Sequence, residues 1–270
     1  MTQRYKIKQP DRDKPLVAAM KRLAGKHPRY GYRFITAKLR QEGWQVNHKR
    51  VQRLWRKEGL QVPYRRKRKK SHGSSENACS VKKAEFINHV WTYDFVEDQT
   101  EDGRKLKLLT VLDEHTRESL AIEVGRSITS KGVIAVLEYL FMVRGLPVFI
   151  RSDNGPEFMA QAIKQWLKDR CVGTLYIEPG CPWENGYAES FHGRFRDDFL
   201  DRELLYSAKE AKVLVENWRL EYNQHRPHSS LKYMTPAAFA ARCIPSVSAA
   251  PRPQEYTIEN VDNPLIVCGT

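Results

Sequence analysis

Several features are scarce or missing in this 270-residue chain, and each gap narrows what it can be. Its five cysteines (Cys79, Cys171, Cys181, Cys243 and Cys268) form no CxxC pair, so free thiols in a reducing compartment are expected. The eight histidines fall into no Cys/His spacing typical of a zinc site. No apolar run approaches the length needed to cross a bilayer, no signal-like segment opens the chain, and no internal repeat is found; a soluble cytoplasmic protein with no membrane partner is expected. Acidic residues are scarce in the first third. Residues 1–84 hold 25 Lys and Arg against 5 Asp and Glu, a surplus of +20, whereas residues 85–270 hold 21 against 27, a balance of −6. A merely soluble surface needs far less charge, and such an excess releases counterions when it meets nucleic-acid phosphates. The 41% hydrophobic content still supports a real core, as one large domain or two smaller ones.

The basic third has helical rhythm. Residues 15–25 begin at Pro15 and end at Gly25, with Leu16, Met20 and Leu23 at helical spacing. Residues 34–42 repeat the pattern through Phe34, Ile35 and Leu39, with Gly43 as the stop. Asn47 can cap a third helix whose Val51, Leu54 and Trp55 form a stripe opposite Lys49, Arg50, Arg53 and Lys57. Three short helices with a basic last one suggest a helix-turn-helix, with the first turn (His48, Lys49, Arg50) best placed to meet bases in a major groove. Arg65, Arg66, Lys67 and Arg68 open a basic run suited to lying along phosphates; a nuclear-localisation signal is the competing reading.

From residue 86 the period changes to that of strands. NHVWTYDFVED, KLKLLTVLDEHT and ESLAIEVG read as three strands, SKGVIAVLEYLFMVRG as a helix, and LPVFIRSDNG as a buried strand entering a polar loop. EFMAQAIKQWLKDR (helix), GTLYIEP (strand) and ENGYAESFHGRFRDDFL (long helix) follow. A further helix over SAKEAKVLVENWRLEYNQHRPH has Ala211, Leu214, Val215 and Trp218 on one face; residues 246–270, rich in Pro, Ser and Ala, read as a loose tail.

Three acidic residues carry the chemistry: Asp94 in WTYDFV, Asp153 in IRSDNGPEF and Glu189 in WENGYAESF. Asp94 interrupts an apolar strand, where an unpaired carboxylate loses hydration with nothing in return. Asp153 alone reads as a turn residue and Glu189 alone as an exposed helical carboxylate. Brought together, three carboxylates repel one another and stay ionised only if cations neutralise them. Oxygen ligands of this kind suit Mg2+ or Mn2+, and two such ions roughly 3.5–4 Å apart can activate an attacking oxygen and stabilise a leaving one in phosphodiester chemistry.

The ordered series HPRYGYR, VNHKRVQRL, the three acidic segments and YNQHRPHSSLKYMTPAAF resembles the OrfB-type DDE transposases of bacterial insertion sequences, from about His27 to Phe239. The retroviral integrase core is a more distant likeness, sharing the 35 residues between Asp153 and Glu189, although no zinc-binding module precedes the core here. The resemblance implies an α/β RNase H-like catalytic core, a five-stranded mixed sheet with flanking helices, behind an all-α helix-turn-helix domain. The strand and helix order read above agrees with it. The expected divisions are 1–64 (helix-turn-helix), 65–84 (basic linker), 85–202 (catalytic core), 203–245 (helical extension) and 246–270 (tail).

The implied activity is metal-dependent cleavage and strand transfer at element ends, with Asp94, Asp153 and Glu189 as catalytic metal ligands for two Mg2+ or Mn2+ ions. The implied partners are terminal inverted repeats and target DNA, an oligomer assembled on them, and an upstream OrfA product as partner or frameshift fusion, in a bacterial, nucleoid-associated setting. Arg196, seven residues after Glu189, falls near two helical turns further on and is expected to hold a phosphate. His192 could orient a phosphate or cover the core. Trp183 could stack on an unpaired terminal base or staple the following helix. Asp113 in VLDEHTR is assigned to a turn. Two other functions stand against this one: a DNA-binding regulator that has lost catalysis, and an RNase H-type nuclease acting on hybrids.

Overall fold

A computed structural model describes residues 10–62, 83–152, 161–176 and 185–243. Asp153, Trp183, the run Arg65, Arg66, Lys67 and Arg68, and the expected tail lie outside the described residues. The described chain falls into two compact units.

The first unit contains α1 (Lys14–Lys26), α2 (Tyr32–Gln41) and α3 (His48–Lys57), grouped with residues 193–203 and 227–234. Pro15 opens α1, and Leu16, Met20 and Leu23 are buried along one face. Ile35 and Leu39 of α2 are buried, while Phe34 is half-buried and meets Tyr233 edge-on at 5.7 Å. Gly43 stops the chain in the left-handed region (φ +87°), where a side chain would be strained. The Asn47 side chain then caps α3 by accepting from the Lys49 amide at 2.9 Å, and Val51, Leu54 and Trp55 face the core.

The second unit is built on one sheet of order β3-β2-β1-β4-β5. It contains β1 (Val90–Gln99), β2 (Lys105–Asp113), β3 (Ser119–Gly125), α4 (Ser130–Arg144), β4 (Phe149–Ser152), α5 (Gln161–Asp169) and β5 (Gly173–Tyr176). The first three strands pair antiparallel; β4 and β5 run parallel to β1. Trp91 and Tyr93 point to one face, where they pack with Leu109, Val111 and Ile150 against Leu137 and Phe141 of α4 and Ile163 and Leu167 of α5. Losing a buried aromatic of this kind costs about 3–5 kcal/mol.

Along the other face lie α6 (Gly186–Phe195) and α7 (Ala208–His225), and α8 (Pro236–Cys243) closes the described chain. α7 is fixed to β3 through backbone atoms. The Asn223 amide accepts from the Ser119 N–H and donates to the Ser119 carbonyl, both at 2.9 Å. Arg219 donates to the same carbonyl at 2.8 Å. Among the described residues no helix is long and apolar enough to cross a membrane.

Two expectations need correction. The helix over residues 184–200 does not continue as one form, since α6 passes into a π-helical turn, Arg196–Leu200, whose Phe199 stacks on Phe195 at 5.7 Å. Cys171 is disulfide-bonded, not a free thiol, whereas Cys243 is free with burial pushing its thiol up.

Candidate active site

Asp94 sits in the middle of β1 directly opposite Thr110 of β2, and Tyr93 and Phe95 on either side turn into the apolar face. Its side chain is only 16% exposed, so its hydration must be replaced. Oδ1 accepts from the Phe95 amide at 2.7 Å, and Oδ2 accepts from Asn185 Nδ2 at 2.9 Å. His192 Nδ1 stands 3.6 Å from Oδ2. The Thr110 hydroxyl donates to the Asp94 carbonyl at 3.0 Å and contacts His192 Nε2 at 2.8 Å. The contact at Nε2 fixes the ring and turns Nδ1 toward Asp94.

His192 therefore lies over the sheet at Thr110 with Nδ1 facing Asp94, a contact with a carboxylate that neither expected reading of this residue named. Glu189 precedes it by three residues on the same helix and is exposed in the first turn of α6, where the positive end of the helix dipole favours a carboxylate.

Asn185 was not singled out from the sequence. It looks like a helix-start residue in WENG, yet it is buried, bonds Asp94, and leaves Oδ1 without a protein partner among the described residues. A second hard oxygen beside a carboxylate is a donor set that Mg2+ or Mn2+ accepts, and Glu189 is of the same kind. Among the described residues no three His, Cys, Asp or Glu side chains converge as a complete metal-binding group, and Asp153 is not one of the residues described. β4, which precedes it in the sequence, is described. Arg151 of β4 pairs with Thr92 of β1, so Asp94 and Asp153 each follow a partner of the same rung by two residues.

The turn after Asp113 lies apart from this carboxylate. Asp113 is the last residue of β2, not part of the turn itself; fully buried, it accepts from the amides of Asn88, His115 and Thr116 at 2.7–2.8 Å and so holds the turn that follows.

In the helical unit His48 and Lys49 are exposed on the first turn of α3. Arg50 and Arg53 are engaged by Asp13, with Arg50 Nε at 2.9 Å and Arg53 Nη2 at 3.0 Å. These guanidinium groups hold the Asp13 carboxyl below its ordinary range. Arg196 is exposed at the start of the π-helical turn.

Family models match three stretches: an HTH-like domain over residues 10–68, and an integrase core domain over residues 87–182 and again over 170–236. The "Insertion element IS407 uncharacterized 31.7 kDa protein" of Burkholderia multivorans is 37% identical over 238 residues, covering 88% of this chain and 85% of that protein. The "Putative transposase InsK for insertion sequence element IS150" of Escherichia coli is 28% identical over 220 residues, covering 78% of this chain and 77% of that one. Among solved structures, the simian T-cell lymphotropic virus intasome in complex with PP2A regulatory subunit B56 gamma matches with a TM-score of 0.54 at 15% identity. The match covers 90% of this chain and 80% of that one, and at this identity it is a likeness of fold.

Proposed function

Given that this chain belongs to the insertion-element transposases, polynucleotidyl transferases with an integrase core, we propose that Asp94, Asp153 and Glu189 together hold the divalent metal ions for cleaving and joining element ends. The observation that carries this reading is the seating of α6 on Asp94. Asn185 and His192 both reach that carboxylate, and Glu189 lies between them in the sequence. The equal two-residue offset of Asp94 and Asp153 from the Thr92–Arg151 rung supports the same grouping.

A bound pair of Mg2+ or Mn2+ ions would supply activation of the attacking oxygen and stabilisation of the leaving oxygen. The protein's part is preorganisation. Asp94 is held by two donors and cannot rotate freely, Asn185 supplies a further oxygen beside it, and Glu189 is exposed for ligation. On the DNA side, His48 and Lys49 are free of the Asp13 clamp and meet the element end, while Arg50 and Arg53 offer donors only beyond it. Arg65, Arg66, Lys67 and Arg68 lie along phosphates, Arg196 holds a further phosphate, and Trp183 stacks on a terminal base. The substrates are terminal inverted repeats and target DNA, engaged by an oligomer.

The test is Mg2+-dependent joining of a pre-cleaved end by Asp94→Asn, Asp153→Asn and Glu189→Gln. Each should lose joining while keeping DNA affinity. Joining retained in any one would remove that residue from the set, and joining retained in all three would leave the chain's chemistry elsewhere.

A further inference from the structure

The turn between β2 and β3, VLDEHTR in sequence, holds more buried charge than a turn requires. Glu114 and Arg151 form an ion pair at 2.8 Å whose side chains are 0% and 4% exposed. Taking both charges out of water costs several kcal/mol per ion, and well-packed apolar residues at such places often do as well for stability. An arginine in the four-residue β4 therefore calls for a role other than holding the sheet together.

Its surroundings indicate the role. The Glu114 amide donates to the Val90 carbonyl at 3.0 Å, fixing the turn to the start of β1, four residues before Asp94. The Glu114 Oε1 accepts from Arg151 Nε, two residues before Asp153. Three residues along the same turn, Arg117 adopts a left-handed backbone (φ +64°) that costs a non-glycine residue energy, stabilised by its amide donating to the Asp113 carbonyl at 2.9 Å. That conformation carries its guanidinium over the Tyr187 ring at 3.9 Å, two residues before Glu189. One short turn thus reaches β1 and α6, which carry Asp94 and Glu189, and β4, which precedes Asp153 in the sequence.

We propose that Glu114, Arg151, Arg117 and Tyr187 form a positioning device that sets the spacing of the Asp94, Asp153 and Glu189 segments and so tunes metal affinity without touching metal. The inference rests on the carboxylate reading above, and it makes Glu114 and Tyr187 its outer supports. Ligand-supporting partners of this kind typically change metal affinity by 10–100-fold when lost.

The experiment uses the full chain without DNA and measures Mn2+ binding by electron paramagnetic resonance. It is paired with the Mg2+ concentration giving half-maximal joining, DNA affinity and thermal stability. Glu114→Gln keeps the shape and removes the charge; it should weaken Mn2+ binding about tenfold and raise the Mg2+ requirement by a similar factor, with DNA affinity unchanged. Tyr187→Leu should do the same through α6, and Tyr187→Phe, which keeps the ring, should recover binding. Should Glu114→Gln fail to fold, Tyr187→Leu against Tyr187→Phe decides the matter alone. Wild-type Mn2+ binding in the folded variants, with only the melting temperature lowered, would overturn the proposal and leave a structural ion pair. Asp153→Asn separates the two levels. If it binds Mn2+ as wild type, the carboxylate reading fails; if it loses Mn2+ while Glu114→Gln and Tyr187→Leu do not, only the positioning device fails.

Discussion

The two faces of one sheet, drawn from alternate residues of the same strands, have been given opposite tasks. Trp91, Tyr93, Leu109, Val111 and Ile150 form an apolar layer under α4 and α5. Thr92, Asp94, Thr110 and Arg151 are turned the other way, where Thr92 Oγ1, Glu114 Oε2 and Asn185 Oδ1 are buried without partners among the described residues. Buried polar atoms left unsatisfied each cost about 1–3 kcal/mol, so the second face is a poor way to gain stability and a good way to hold charge in place. Stability is concentrated on one side of β1 and chemistry on the other. The difference can be broken by substitutions one residue apart.

The largest effect is expected for Asp94→Asn and Glu189→Gln, each lowering joining of a pre-cleaved end by at least about a thousandfold, or about 4 kcal/mol of barrier, with little change in melting temperature. Trp91→Ala should do the reverse, destabilising the fold by about 3–5 kcal/mol in a denaturant titration, while the surviving folded fraction keeps its activity per molecule. If Asp94→Asn lowered stability as much as Trp91→Ala, the two faces would not be separate in function.

Much of this division was legible in the chain. The three helices of the first unit begin and end within two residues of their Pro15, Gly43 and Asn47 signals, because capping is local. Asp94 was conspicuous as a carboxylate amid apolar strand residues. The Glu114–Arg151 pair was not, because its members are 37 positions apart and each took the reading of its own neighbourhood, a turn and a strand. Arg151 in a short buried strand was the available signal, since an arginine there must find a counter-charge. Asn185 was hidden for a related reason, as its orientation depends on where α6 lands. The change to a π-helical turn at Arg196 has no residue signature in RDDFL.

Smaller effects sharpen the contrast between the sheet unit and the helical one. Lys49→Ala should reduce the slope of log affinity against log salt by about 0.9 while leaving joining of a bound end intact. Arg50→Ala, which breaks the Asp13 contact, should show more of its effect in the melting temperature of the helices than in that slope.

Smallest is a proton-linked effect at Glu114, whose carboxyl is pushed up to about 7 by burial against the pull of Arg151 and Arg117. The folded chain then holds this proton more tightly than the unfolded chain, for which 4.5 is the ordinary value. Stability should therefore fall as pH rises from about 4.5 toward about 7 and level off above, where neither state keeps the proton. Glu114→Gln lacks this component, so the margin by which its melting temperature exceeds or approaches wild type should shift in its favour across that window and stay constant beyond it. A margin independent of pH would show that Arg151 keeps Glu114 ionised throughout.

The most direct measurement is anomalous diffraction from Mn2+ in crystals of the full chain bound to a pre-cleaved element end. The account predicts density at about 2.1 Å from an Asp94 carboxylate oxygen, within reach of Glu189 and absent in Asp94→Asn. Density elsewhere on the chain, or undiminished in Asp94→Asn, would contradict it.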